Sequence, residues 1–136
     1  YITAERDSLS APLDKIQIVK GWTENGKEKE VVYDVICSDE RAINNRKNRC
    51  KPTKASVDFD NCSFDENYGA DRLEILWTDE KYSFEQNAFY YVRAIENPTC
   101  RWSTYDSIRI NEKPSKNYPK IMREMAWSSP IWIRNN

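Results

Sequence analysis

Not one of the 136 residues is a histidine. That absence removes the imidazole which accepts the proton in Ser-His-Asp and Cys-His nucleophile activation. It also removes the common histidine-bearing zinc and non-haem iron sites. Carboxylate pairs and an activated lysine are the catalysts left. None of the four cysteines, Cys37, Cys50, Cys62 and Cys100, forms a C-x-x-C, which argues against a zinc ribbon or a redox dithiol. No apolar run approaches the length of a membrane span, so no membrane insertion is expected. Net charge is scarce as well: 21 Lys and Arg against 22 Asp and Glu leave −1, and no global field points toward nucleic acid. Internal repeats and a sustained 3.6-residue period are missing, apart from at most a turn or two near Tyr105 or Ile121. The chain begins at Tyr1 with no signal-like segment, and so reads as a processed or excised piece of a larger protein.

What is present is aromatic and alternating. Five Trp, eight Tyr and four Phe are too many for a disordered chain. A single domain of this length buries about two-thirds of its surface. Residues 13–37 read as a hairpin: Ile16 and Ile18 alternate with Lys15 and Gln17, and Asn25-Gly26 supplies the turn. The return strand sets Val31, Tyr33 and Val35 on one face and Val32, Asp34 and Ile36 on the other. Residues 38–54, rich in Arg and Lys, read as a solvated excursion rather than an anion site, for lack of Gly-rich phosphate chemistry. Ala55, Val57 and Phe59 predict a strand, as do Leu73, Ile75 and Trp77. The acidic set Asp58, Asp60, Asp65, Glu66 and Asp71 lacks the Gly and bidentate Glu of an EF-hand loop.

Residues 88–95 are apolar on both faces except at Arg93, which predicts a central strand covered on both sides. Arg93 is then expected to pair with Glu96 or a loop carboxylate. Asn97-Pro98 ends that strand, and a last strand closes the chain, placed at an edge, bulge or start by Pro130. The fold class is all-β: an antiparallel β-sandwich, Ig/fibronectin-like, of six to seven strands with long polar loops. Core filling accounts for at least three of the five Trp. The even cysteine count permits two disulfides in three pairings. Cys50 and Cys62 flank a short polar segment, and closing it contributes about 3 kcal/mol in the chain-entropy model. The alternative is four reduced, buried thiols. A disulfide points to the periplasm or the exterior.

Several stretches resemble, in order, a bacterial family of unknown function related to the PHP (polymerase and histidinol phosphatase) metal-dependent phosphoesterases. They are Leu13 to Trp22 with Val32 to Val35, Ala88 to Arg93, Glu96 to Thr99, Arg101 to Asp106, and Ala126 to Trp132. The resemblance implies an exported protein that joins a metal-binding barrel to a C-terminal β-sandwich, with residues 1–136 as the sandwich and the barrel absent. PHP metal sites are built largely from His, which this chain lacks, so hydrolase chemistry is implied for the parent and not for this piece.

The expectation is a non-catalytic accessory domain that packs on the N-terminal barrel of its own parent chain and helps complete its cleft. It has no catalytic residue, metal ligand or cofactor of its own. The candidate interface or cleft residues are Asn97, Arg101, Trp102 and Tyr105, in a loop leaving the most buried strand. The alternative is an autonomous glycan- or protein-binding module using exposed Trp and Tyr. Phosphomonoesters and phosphodiesters incubated with the purified chain and Mn²⁺ or Zn²⁺ are expected to remain uncleaved. Turnover that disappears when a carboxylate of this chain is replaced would overturn that expectation.

Overall fold

In the computed structural model, which describes residues 1–134, the hairpin over residues 13–37 forms the centre of the molecule. In chain order the elements are β1 (Ile2–Glu5), β2 (Leu13–Glu24), β3 (Lys27–Cys37), β4 (Ile43–Asn44), β5 (Arg49–Cys50), β6 (Arg72–Ile75) and β7 (Ala88–Glu96). There follow β8 (Thr99–Cys100), helix α1 (Trp102–Arg109), β9 (Ile121–Met122), β10 (Met125–Trp127) and β11 (Ile131–Ile133). Asn25 and Gly26 have φ of 51° and 71°, the pair of left-handed residues a type I′ turn requires. Strand β2 pairs antiparallel with β3 on one edge and β7 on the other. The far edge of β7 is shared by β10 and β11, and Pro130 stands in the gap between them, where no ladder N–H is needed.

The fold is an all-β sandwich with unequal layers. One layer is this five-stranded sheet, and the other is the β1–β6 ribbon lying against β2 and β3. Between them sit Leu13, Ile16, Ile18, Val35 and Leu73, with Tyr33, Trp77, Tyr90 and Val92 packed around them. Small β4–β5 and β8–β9 ribbons stiffen the long connections.

Several expectations are corrected. The alternation of β3 breaks where the register slips between Ile16 and Gln17. The extra residue there lets both Val35 and Ile36 reach the core. Residues 55–59 form no strand, only an isolated Val57–Phe64 bridge. Asp58 and Asn61 instead accept the N–H groups of Asp60 and Ser63, turning the chain before a ladder can grow. Of the two places where at most a turn or two of helix was foreseen, Tyr105 lies in α1 and Ile121 belongs to a strand. The basic excursion is not wholly solvated, because Arg41 turns inward onto the buried Asp14 and the Ser38 carbonyl.

Strand β7 is central in the sheet, yet its face bearing Phe89, Tyr91 and Arg93 is only half-buried. Arg93 makes no ion pair among the described residues and lies in register with Gln17 and Trp127. Glu96, three residues on, points to the opposite face and accepts the Ser10 hydroxyl instead. Trp102, Trp127 and Trp132 are exposed, so at most two of the five Trp fill the core.

The cysteines pair as Cys37–Cys50 and Cys62–Cys100, not Cys50–Cys62. Cys50 is carried to the end of β3 because its N–H donates to the buried Asp34 carboxylate at 2.8 Å. The bridges span 13 and 38 residues, worth about 3 and about 4 kcal/mol respectively in the chain-entropy model. Non-reducing peptide mapping should recover these two linked pairs. A Cys50–Cys62 peptide, or four free thiols in protein from an oxidising compartment, would contradict the fold.

Candidate functional site

Beyond β7 the chain is pinned before it reaches the predicted site. The Asn97 N–H donates to the Pro12 carbonyl at 2.8 Å, and its side-chain amide donates to the Tyr68 carbonyl at 2.8 Å. Gly69, at φ 105°, makes room for that amide, since a Cβ there would lie 2.6 Å from Asn97 Nδ2. The Cys62–Cys100 bridge, the β8–β9 ribbon and the Arg123–Asp14 ion pair hold the next few residues. Asn97 is therefore a buried anchor in this chain, 1% exposed.

The other three predicted residues come together at the start of α1. Arg101 is half-buried, with its guanidinium carbon 5.6 Å from the Tyr118 ring centroid. Trp102 and Tyr105, three apart and so on one helical face, are 67% and 48% exposed. The only residue of α1 that is buried is Thr104. With Tyr118 and Ile121 also exposed, the arm presents apolar groups outward rather than to its own core.

A second constellation was legible in the alternation but missed. Lys20 shares the core-facing side of β2 with Ile16 and Ile18, and is 2% exposed. Its ammonium donates to Asp79 Oδ2 at 2.5 Å and to Gln86 Oε1 at 3.2 Å. The rings of Trp22, Tyr90 and Tyr82 surround it at 5.0, 5.6 and 5.9 Å. Burial pushes the Asp79 carboxyl up, but hydrogen bonds from Lys20, the Tyr90 hydroxyl and the Lys81 N–H outweigh it and hold the group below the usual carboxylate range. The Tyr90 phenol is raised by burial and by Asp79. This cage is closed to substrate. It fastens the loop of residues 76–87 to the sheet.

A third feature lies at the other end of β7, a strand of 9 residues and so roughly 30 Å long. There a cleft of about 710 Å³ opens on the half-covered sheet face, lined among others by Gly21, Glu28, Glu30, Phe89 and Trp132. Among the described residues no group of three or more Cys, Asp or Glu is arranged to hold a metal ion.

Residues 1–135 match the family described as "Protein of unknown function (DUF3604)". The chain belongs to the DUF3604 family. No curated protein and no solved structure matches it. This DUF3604 chain presents a rigidly based aromatic arm, a sealed Lys20–Asp79 cage and an open aromatic cleft.

Losing one member of a buried ion pair costs about 3–5 kcal/mol, because the other charge is stranded. Asp79→Asn should accordingly destabilise the domain more than Lys20→Met does, and the double variant should recover part of the loss. Asp34, buried yet held down by Lys15, the Cys50 N–H and Gln17, shares the lowered carboxylate behaviour of Asp79. Both groups contribute stability that is full above the ordinary carboxylate pKa of about 3.9 and is lost as pH falls through their lower folded values. The urea midpoint should hold from pH 7 to about pH 5 and drop below about pH 4, less steeply in Asp79→Asn. An acid limb unchanged in that variant would refute the assignment.

Proposed function

We propose that this DUF3604 chain is a non-catalytic accessory domain whose α1 arm packs on another domain of its parent polypeptide. The observation that carries the reading is helix α1 itself. A short helix normally turns its large apolar residues inward, whereas this one buries Thr104 and exposes Trp102 and Tyr105. Trp and Tyr are the residues that dominate interface energetics. Exposing them from a base held by a disulfide, a ribbon and a buried amide is what a preformed docking surface requires.

The resemblance to PHP-related proteins supplies the partner: a metal-binding barrel preceding this domain, with α1 at the rim of its cleft. Arg101, stacked on Tyr118, has a planar fork suited to a carboxylate or phosphate at that rim. The two disulfides are consistent with a periplasmic or extracellular setting.

The test uses the parent polypeptide and this chain side by side. Trp102→Ala with Tyr105→Ala should leave the melting temperature of the isolated chain nearly unchanged. In the parent it should split one calorimetric transition into two and speed proteolysis between the domains. If Trp102→Ala instead unfolds the isolated chain, with the roughly 3–5 kcal/mol loss of a deleted core aromatic, or if the parent is indifferent to both changes, α1 is no interface.

A further inference from the structure

Strand register builds a single row of side chains across four strands at the hairpin end of the sheet. Gly21 of β2 stands opposite Glu30 of β3 on one side and Phe89 of β7 on the other, and Phe89 stands opposite Trp132 of β11. All four therefore share one face. A Cβ at Gly21 would collide with the Phe89 ring, so the glycine lets that ring lie down across β2. Tyr91 continues the surface, with its ring 7° from parallel to Phe89 at 6.4 Å. Trp132 flanks Phe89 at 5.1 Å and is 63% exposed.

The polar groups beside this platform include two carboxylates. Glu28 and Glu30 line the cleft and form no ion pair among the described residues. Lys29, between them in sequence, pairs with Glu24 at 3.6 Å. Arg134 also lines the cleft, so its charges include both signs and do not call for an ionic ligand.

A self-association surface would combine aromatic rings with complementary, mutually satisfied charges. Here the exposed Trp132 ring, tilted 47° to the half-buried Phe89 ring, lies beside Glu28 and Glu30, two carboxylates that accept hydrogen bonds and form no ion pair among the described residues. The ligand that fits is one with apolar C–H faces and several O–H donors at their edges, and no net charge to desolvate. We propose that the Phe89–Trp132 row, with Glu30 and Glu28, is a binding platform for a neutral carbohydrate chain. The rings take the C–H face of successive sugar units, through their electron-rich faces. The carboxylates accept sugar hydroxyl protons, and charge-assisted hydrogen bonds of that kind are the stronger ones. The cleft's volume of about 710 Å³ suits a few sugar units. The platform is separate from the α1 arm, so it stands or falls independently of the docking role proposed above.

Affinity electrophoresis of the full chain in gels containing xylan, galactomannan, laminarin, pullulan or hydroxyethyl cellulose tests the idea. At least one of these should retard the chain. Trp132→Ala should abolish that retardation, Glu30→Gln should weaken the apparent affinity at least tenfold, and Trp102→Ala should leave it intact. Should Trp132→Ala lose its cooperative melt, Glu30→Gln, an exposed change in the hairpin, decides alone. Equal mobility in all five gels, or unaltered retardation of the platform variants, overturns the proposal. So does a concentration-dependent dimer that Trp132→Ala dissociates without any polysaccharide binding, for then a second copy covers the face.

Discussion

Strand β2 hydrogen-bonds along both edges, to β3 through a two-residue turn and to β7 across a gap of more than sixty residues. The first pairing is local and needs only Asn25-Gly26. The second carries the entropy of closing a long loop, which packing must offset. One face of β2 supplies Ile16 and Ile18 to the core, and the other carries Gln17, Val19 and Gly21, which are buried as well beneath the face that bears Phe89 and Tyr91. The register of β2 against β7 therefore decides both what is core and what is surface. A slip by one residue would exchange Lys20 with Val19 and carry Ile16 and Ile18 out of the core between the layers.

Around that seam the long polar connections are held by buried carboxylates rather than by apolar contacts. Asp14 binds Arg41 and Arg123, Asp34 binds Lys15, Gln17 and the Cys50 N–H, and Asp79 binds Lys20 and Tyr90. Each draws in a segment with few apolar side chains of its own. The desolvation cost of such sites is real, and the stabilisation they return depends on every lone pair having a donor. The disulfides serve the same segments: one ties β5 to β3, and the other ties the loop after β5 to the root of α1. A chain with 39% hydrophobic residues thus keeps its excursions ordered by charge and covalent links.

Two of the aromatic surfaces this scaffold leaves exposed lie toward opposite ends of β7. The α1 arm has a rigid root and an aromatic outer face, the combination expected of a surface that meets another folded domain. The hairpin end has the Phe89 ring laid across a glycine beside the exposed Trp132, with carboxylates that form no ion pair among the described residues, the combination expected of a surface that meets a hydroxyl-rich ligand. The two differ in chemistry although both are aromatic, and it is the neighbouring polar groups, not the rings, that separate them.

Local pattern was enough for some of this protein. Alternation at Ile16 and Ile18, with Asn25-Gly26 after them, determined the hairpin, because side-chain period and left-handed turn residues are properties of adjacent positions. Pro130 likewise marked an edge, since a missing N–H is intrinsic to proline. The missing histidines bounded the chemistry without any fold at all. What local pattern could not determine was everything set by register between distant strands. Arg93 faces Gln17 and Trp127 instead of a carboxylate, Cys50 meets Cys37 instead of Cys62, and three Trp lie outside the core. Lys20 occupied a legible core position, but its partner Asp79 was not legible, because nothing in a loop advertises which buried charge it will cover. The row of Glu30, Gly21, Phe89 and Trp132 exists only because β3, β2, β7 and β11 are laid side by side. A sheet face is assembled from residues far apart along the chain, and their neighbours are chosen by backbone pairing rather than by sequence proximity.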